Sequence, residues 1–421
     1  MKAKLLFIGL ILLIGVTACS EQNAQSVDDF YPITQTATGF IEFTPESTSE
    51  PTLEPTPTQE PTPNATQIAL SWNWGYSTPE EQGMDSTVLA EMLEEINESY
   101  PSIKSVTIIR NENVVLDAYV YPNSGNSLYQ INSIVKSILS LLFGIAIDQG
   151  YIESVNQPLT DFFPEESMDN FDYRKEIITL EHLLTMTPGL DCRDSYQFDW
   201  DWSDPQWLLI NDWVQYFIDL PMVSTPGNRF AYCNSDARVL SVILTKATGM
   251  TAQVFANKYL FGPLGLRIDS WNNFQGVYTD GARGIRIRPI DLARVGQLVL
   301  NGGVWEGQRV VSEEWVEQST QQYIEGNLEA YYGYLWWVNE SGFYSGIGYG
   351  GQYLYVVPWA DLVVVFTSSN SNVSINIPPH LLWQYVFRSI ESKETLDENP
   401  EAFQRLLNAI DDLKQYRQVL N

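Results

Sequence analysis

Ser133-Ile134-Val135-Lys136-Ser137-Ile138-Leu139-Ser140-Leu141-Leu142-Phe143-Gly144-Ile145-Ala146-Ile147-Asp148-Gln149 decides the fold. From Ile134 onward it is apolar nearly all round, which predicts a helix buried on every side. Gly150 follows and supplies a plausible C-cap. Lys136 is the only charge between Ile131 and Ile147. A lone cation in so apolar a helix needs a chemical reason. Ser133 lies three residues earlier, and positions i and i+3 share a helix face. A helix N-terminus offers free N–H groups and positive potential, which suit an oxyanion and an activated serine. A desolvated lysine there can lose its proton and act as a base. The alternative is a serine N-cap followed by a solvated lysine.

Outward from this helix, the order of elements predicts an α+β domain. Ser86–Ile96 has helical apolar spacing, with Asp85 or Ser86 as cap. Ile103–Arg110 and Val114–Val120 read as strands joined through Asn111-Glu112-Asn113. Helical stretches follow at Glu181–Met186, Trp207–Leu220 and Asp236–Thr248. Strands return at Gly333–Val338, Gln352–Val357 and Leu362–Thr367, and Leu381–Ile390 and Pro400–Tyr416 read as helices. Strands from both ends of the domain would form one central antiparallel sheet flanked by helices. A mostly helical region, about residues 137–270, is inserted between them.

The full chain has 421 residues, 52 acidic against 23 basic, and a formal net charge of −29. That surplus argues against nucleic acid, whose phosphates need cations, and against electrostatic docking on anionic lipid. Two His and three Cys argue against a multi-His metal site or a Cys-rich module, so no metal or cofactor is expected. Lys2 and Lys4, the apolar run Leu5–Val16 and Thr17-Ala18-Cys19 read as an export signal. Val16-Thr17-Ala18-Cys19 resembles a bacterial lipobox. That likeness implies a signal peptide over residues 1–18, a lipid on Cys19, and a membrane-anchored chain outside the cytoplasm. In residues 19–66, prolines at 45, 51, 55, 57, 61 and 63 stand among Thr and Glu. Such a segment buries too little apolar area to offset its ordering entropy and reads as a spacer. The catalytic domain is placed at residues 67–395, with a C-terminal helix in 396–421.

Two further motifs bear on chemistry. Tyr232-Cys233-Asn234 leads into the helix at 236–248. A phenol beside a lysine ammonium has its pKa pulled down and can take or deliver a proton. Asn234 can donate to a substrate carbonyl and accept from Lys136. The alternative is a buried, hydrogen-bonded tyrosine. Gly346-Ile347-Gly348-Tyr349-Gly350-Gly351-Gln352 precedes an apolar strand. Glycines there permit close backbone approach by a ligand, and a free N–H can serve an oxyanion. The alternative is a hairpin turn.

S-x-x-K, Y-x-N and a glycine-rich strand, in that order, resemble the β-lactamase-related serine hydrolases. These include class C β-lactamases, D-alanyl-D-alanine carboxypeptidases, and esterases and amide hydrolases of the same fold. The likeness covers about Trp72 to Ile390 and includes Ser77–Met84, His182–Leu190 and Pro289–Arg294. It implies a β-lactamase/transpeptidase-like fold and a small-molecule or peptide-like ester or amide substrate. Ser133 would be the acyl-enzyme nucleophile, Lys136 its proton partner, Tyr232 the general base and acid, and Asn234 a positioning residue. The N–H groups of Ser133 and Tyr349 would form the oxyanion hole, flanked by Gly348 and Gly350. One departure is informative. The family's third motif is usually Lys or His, then Thr or Ser, then Gly. Gly346-Ile347-Gly348 falls in that place and carries no cation. This moves the expectation from β-lactam or D-Ala-D-Ala hydrolysis towards an esterase or amidase. A D,D-carboxypeptidase or β-lactamase, or a cell-wall-binding protein without catalysis, are the alternatives.

Four residues and one stretch invite other readings. His182 sits in a Leu-rich helical stretch, and no G-x-S-x-G elbow accompanies it. His380 has no evident partner. Cys192 and Cys233, outside the membrane, are expected to be bridged rather than free. Asp199-Trp200-Asp201-Trp202 is either a surface loop or an acidic, aromatic cleft wall that disfavours anionic substrates.

Overall fold

The β-branched runs at the C-terminal end of the domain build its centre. Leu362–Ser368 and Gln352–Val357 are buried at every position, as strands covered on both faces must be. The computed structural model describes residues 74–164, 169–192, 212–274, 276–369 and 375–415. All of them belong to one compact unit, Pro63–Asn421. The export signal, Cys19, the spacer and the Asp199–Trp202 stretch lie outside the described residues.

The main sheet contains β1 (Gly75–Tyr76), β2 (Ile103–Arg110), β3 (Asn113–Tyr119), β4 (Ile324–Glu325), β5 (Tyr331–Tyr332), β6 (Trp337–Val338), β7 (Tyr344–Gly348), β8 (Gln352–Val357) and β9 (Leu362–Ser368). Their spatial order is β1-β3-β2-β9-β8-β7-β6-β5-β4. The N-terminal hairpin β2–β3 thus pairs with the C-terminal strand β9, closing one layer from both ends of the domain. The sheet is not wholly antiparallel, because β1 pairs with β3 in parallel. The β2–β3 hairpin turns at Asn111 and Glu112, whose φ values of 46° and 61° are those of a tight primed turn.

The longer helices are α1 (Ser86–Ser99), α2 (Ile134–Asp148), α3 (Asn234–Thr248), α4 (Pro289–Leu300) and α5 (Pro400–Leu413). Asp85 caps α1 by accepting from Thr87 N. Gln149 ends α2, and Gly150 follows at φ 73°. Gly346 stands opposite Leu354 across β7 and β8, so both point to the same face. A Cβ on Gly346 would meet α2 at Ile134, and one on Gly296 of α4 would meet Leu354 and Val363. Helices α2 and α4 therefore cover one face. Tyr353 and Tyr355 alternate with Leu354 and face the other side. There Tyr353 Oη donates to Ile375 O at 2.7 Å, and Tyr355 meets Phe343, which packs against Trp383.

The glycine-rich run precedes the apolar strand β8, as expected; within the run Gly346 and Gly348 end β7, and the turn falls at Gly350 and Gly351, with φ of 78° and 82°. After residue 270, α4 packs on the sheet. One expectation needs correction. The strand expected at Gly333–Val338 is reduced to Trp337–Val338, because Leu335 adopts φ 63°.

Candidate active site

Ser133 occupies the N-cap position of α2, but its hydroxyl caps nothing. Lys136, one turn on, is only 1% exposed. Both observations set aside a capping serine with a solvated lysine. Lys136 Nζ donates to Ser133 Oγ at 3.1 Å, to Asn234 Oδ1 at 2.8 Å and to Ala282 O at 3.2 Å. The ammonium also lies 4.9 Å from the centroid of the Tyr232 ring. S-x-x-K and Y-x-N, separated by about a hundred residues of chain, therefore meet at one amine.

Tyr232 is held from several sides. Its ring stacks on Trp337 of β6 at 5.6 Å and 21°, and meets Tyr332 of β5 edge-on at 6.3 Å. Burial raises the Tyr332 phenol well above its ordinary value, so that ring is a neutral wall. The backbone beside Tyr232 hangs on Met186: Ala231 N donates to Met186 O at 2.9 Å, and Cys233 N to Met186 Sδ at 3.3 Å. Cys233, inside the Y-x-N triplet, is bridged to Cys192. Asn234 opens α3 directly after it.

The glycine-rich strand passes close to the serine. A Cβ on Gly348 would stand 2.3 Å from Ile131 O, and one on Gly346 would be 3.0 Å from Ile134 and 3.1 Å from Ser137 Oγ. These contacts explain the glycines: α2 and the turn before it lie directly on β7. They also give a physical reason for the missing cation, since a long side chain at 346 would have to displace α2. The pairing of β6 with β7 ends at Ser345, so among the described residues no strand pairs with Gly346–Gly348 on that edge. Asn132, at φ 49°, donates from Nδ2 to Tyr349 O at 2.7 Å. It ties the segment carrying the Ser133 N–H to the one carrying the Tyr349 N–H. Gly350 lies in the adjoining turn.

Asn132 and the Ala282 carbonyl were not among the expected site groups. His182 belongs to the scaffold. Its Nδ1 accepts from Thr179 N at 3.0 Å and closes a capping box on the short helix Leu180–Leu184, and burial lowers its pKa. His380 does have a partner, contrary to expectation: Nε2 lies 3.8 Å from Glu95 Oε1. Among the described residues no cluster of His, Cys, Asp or Glu could hold a metal ion.

A family model described as Beta-lactamase matches residues 90–375. The 6-aminohexanoate-dimer hydrolase of Paenarthrobacter ureafaciens is 26% identical over 314 residues, covering 70% of this chain and 80% of its own. Solved structures give the same fold. A Bacillus anthracis protein provisionally described as a 6-aminohexanoate-dimer hydrolase superposes with a TM-score of 0.59 at 19% identity, over 76% of this chain and 87% of its own. An octameric penicillin-binding protein homologue from Pyrococcus abyssi gives 0.58 at 19% identity, over 73% and 78%.

Proposed function

The chain belongs to the beta-lactamase family and is a serine hydrolase of amide or ester bonds, and we propose that Ser133 is its nucleophile. The observation that carries this reading is the buried Lys136 amine, bonded at once to Ser133 Oγ and Asn234 Oδ1. In the reactive form Lys136 is the free amine: the Ser133 hydroxyl gives its proton to Nζ, which shares it with the Tyr232 oxygen, and Oγ attacks the substrate carbonyl. The resulting oxyanion sits between the N–H groups of Ser133 and Tyr349, with Gly348 and Gly350 leaving the approach open. Collapse expels the alcohol or amine, which takes the proton back through Tyr232. Water then hydrolyses the Ser133 ester by the reverse transfers.

The substrate is a neutral or cationic ester or amide rather than a D-Ala-D-Ala-type carboxylate. Glycine at 346 supports this, because it leaves the third motif without a cation. The acidic, aromatic Asp199–Trp202 stretch supports it from the sequence. The test is a panel of p-nitrophenyl esters, nitrocefin and D-Ala peptides, read against Ser133→Ala. Ester or amide turnover lost in Ser133→Ala is the expected result. Turnover of nitrocefin and D-Ala peptides above all neutral esters would overturn the specificity. No turnover of any substrate would favour a binding protein on this fold.

The chain is also exported and anchored through a lipid on Cys19, as its first nineteen residues suggest. Cys19→Ala should move the protein from the membrane fraction to the soluble one and abolish incorporation of labelled palmitate. Unchanged partition and labelling would refute the anchor.

A further inference from the structure

The third partner of the Lys136 amine is a backbone carbonyl, Ala282 O. A carbonyl on a loop has no fixed place unless the loop is held, and Asp280-Gly281-Ala282-Arg283 is held by buried charge. Asp280 is 4% exposed, and its Oδ1 accepts from Ala282 N at 3.0 Å. The same Oδ1 stands 3.4 Å from Arg238 Nε, and its Oδ2 accepts from Arg283 Nε at 3.2 Å. Arg238 lies one turn after Asn234 on α3, is itself buried, and stacks over Trp213 at 4.4 Å. The backbone of Asp280 is fixed too, by Trp271 Nε1 donating to its carbonyl at 2.8 Å and by its own N–H on Asn272 O at 2.7 Å. Gly281 sets the closeness of the contact, since a Cβ there would stand 2.1 Å from Ala237 O of α3.

The Arg238–Asp280 pair therefore spans the two elements that carry the outer acceptors of the Lys136 amine, Asn234 on α3 and Ala282 on the loop. We propose that Asp280 is a positioning residue for the hydrolytic reaction. Through Arg238 and the Ala282 N–H, it fixes the distance between those two acceptors and so aims the amine at Ser133 Oγ. This rests on the serine hydrolase reading above. A buried ion pair is poor evidence of stability, whereas a small misplacement at a reacting group is costly. The titratable and charged groups nearest the amine are the Tyr232 phenol with Tyr332 beside it, Asp236 and Arg238 at the start of α3, and Asp280 and Arg283 of the loop; Lys246 stands near the far end of α3 and Tyr344 at the far end of β7. The facing part of β7 offers only Ser345, glycine and Ile347. An amine that loses one acceptor for its protons holds them less tightly.

The test measures p-nitrophenyl acetate hydrolysis and fluorophosphonate labelling against pH for the full chain, Asp280→Asn and Gly281→Ala, with Ser133→Ala as blank. Circular dichroism reports folding. The expected result is a fall in kcat of about ten- to a hundredfold with little change in KM. The acidic limb of kcat/KM should also move down by roughly one pH unit. Should Asp280→Asn fail to fold, Gly281→Ala displaces the same loop without altering any charge and carries the test. A folded variant with wild-type kcat and an unshifted limb overturns the inference. If the wild type labels no more than Ser133→Ala, the serine reading fails first, and the two failures are thereby told apart.

Discussion

At the scale of single residues, Lys136 is the centre of the account. Its ammonium has three acceptors and lies near one phenol ring, and almost none of it meets solvent. Lys136→Met fills a similar volume without the amine and should lower kcat/KM by about a thousandfold or more, while Tyr232→Phe should cost roughly a hundred- to ten-thousandfold. Steady-state kinetics on one activated ester checks both. Near-wild-type rates in a folded Lys136→Met would remove the amine from the mechanism. The grouping of Ser133, Lys136, Tyr232 and Asn234 about one amine was legible in the sequence because each is a polar side chain in a short motif. The Ala282 carbonyl was not, because every residue carries a carbonyl and only the fold selects one. Nor was Asn132, whose amide meets Tyr349 across 217 residues and depends on a left-handed backbone.

At the scale of elements, α2 is wedged between the sheet and its neighbours. A Cβ on Gly144 would stand 2.3 Å from the Trp315 ring. Gly144→Ala therefore overpacks a rigid contact and should destabilise the domain by about 1–3 kcal/mol. The readout is a lower urea midpoint at unchanged slope, and an unchanged or raised midpoint would contradict it. His182 gives the short helix Leu180–Leu184 a pH dependence. Burial holds its imidazole below the ordinary 6.5, so the unfolded chain takes up the proton first. The stability it carries is complete above that value and declines as the pH falls through it towards the folded pKa. His182→Gln keeps an acceptor at the same capping-box position. Its melting temperature should fall less between pH 7 and pH 5 than that of the wild type. Equal slopes would assign the pH dependence elsewhere. Strands β8 and β9 were legible as continuous apolar runs rich in valine. Strand β7 was obscured because Tyr344-Ser345-Gly346-Ile347-Gly348 contains two glycines, which weaken a strand pattern. Helix α4 follows three arginines and opens on Pro289, and no helix was assigned there from the sequence although proline suits the first helical turn.

At the scale of the whole molecule, the domain is closed by contacts between distant parts of the chain. The Cys192–Cys233 bridge joins residues 41 apart and lands inside the Y-x-N triplet. Replacing both with serine should cost about 2–4 kcal/mol of stability and lower activity in the fraction that stays folded. Thermal melts beside kinetics would check this, and an unchanged melt would refute it. The most direct test of the centre around Lys136 is fluorophosphonate treatment followed by peptide mass mapping, on the wild type and on Ser133→Ala. One phosphonyl adduct on Ser133, absent from Ser133→Ala, is the predicted result. An adduct on another residue, or equal labelling of the two proteins, would contradict the account.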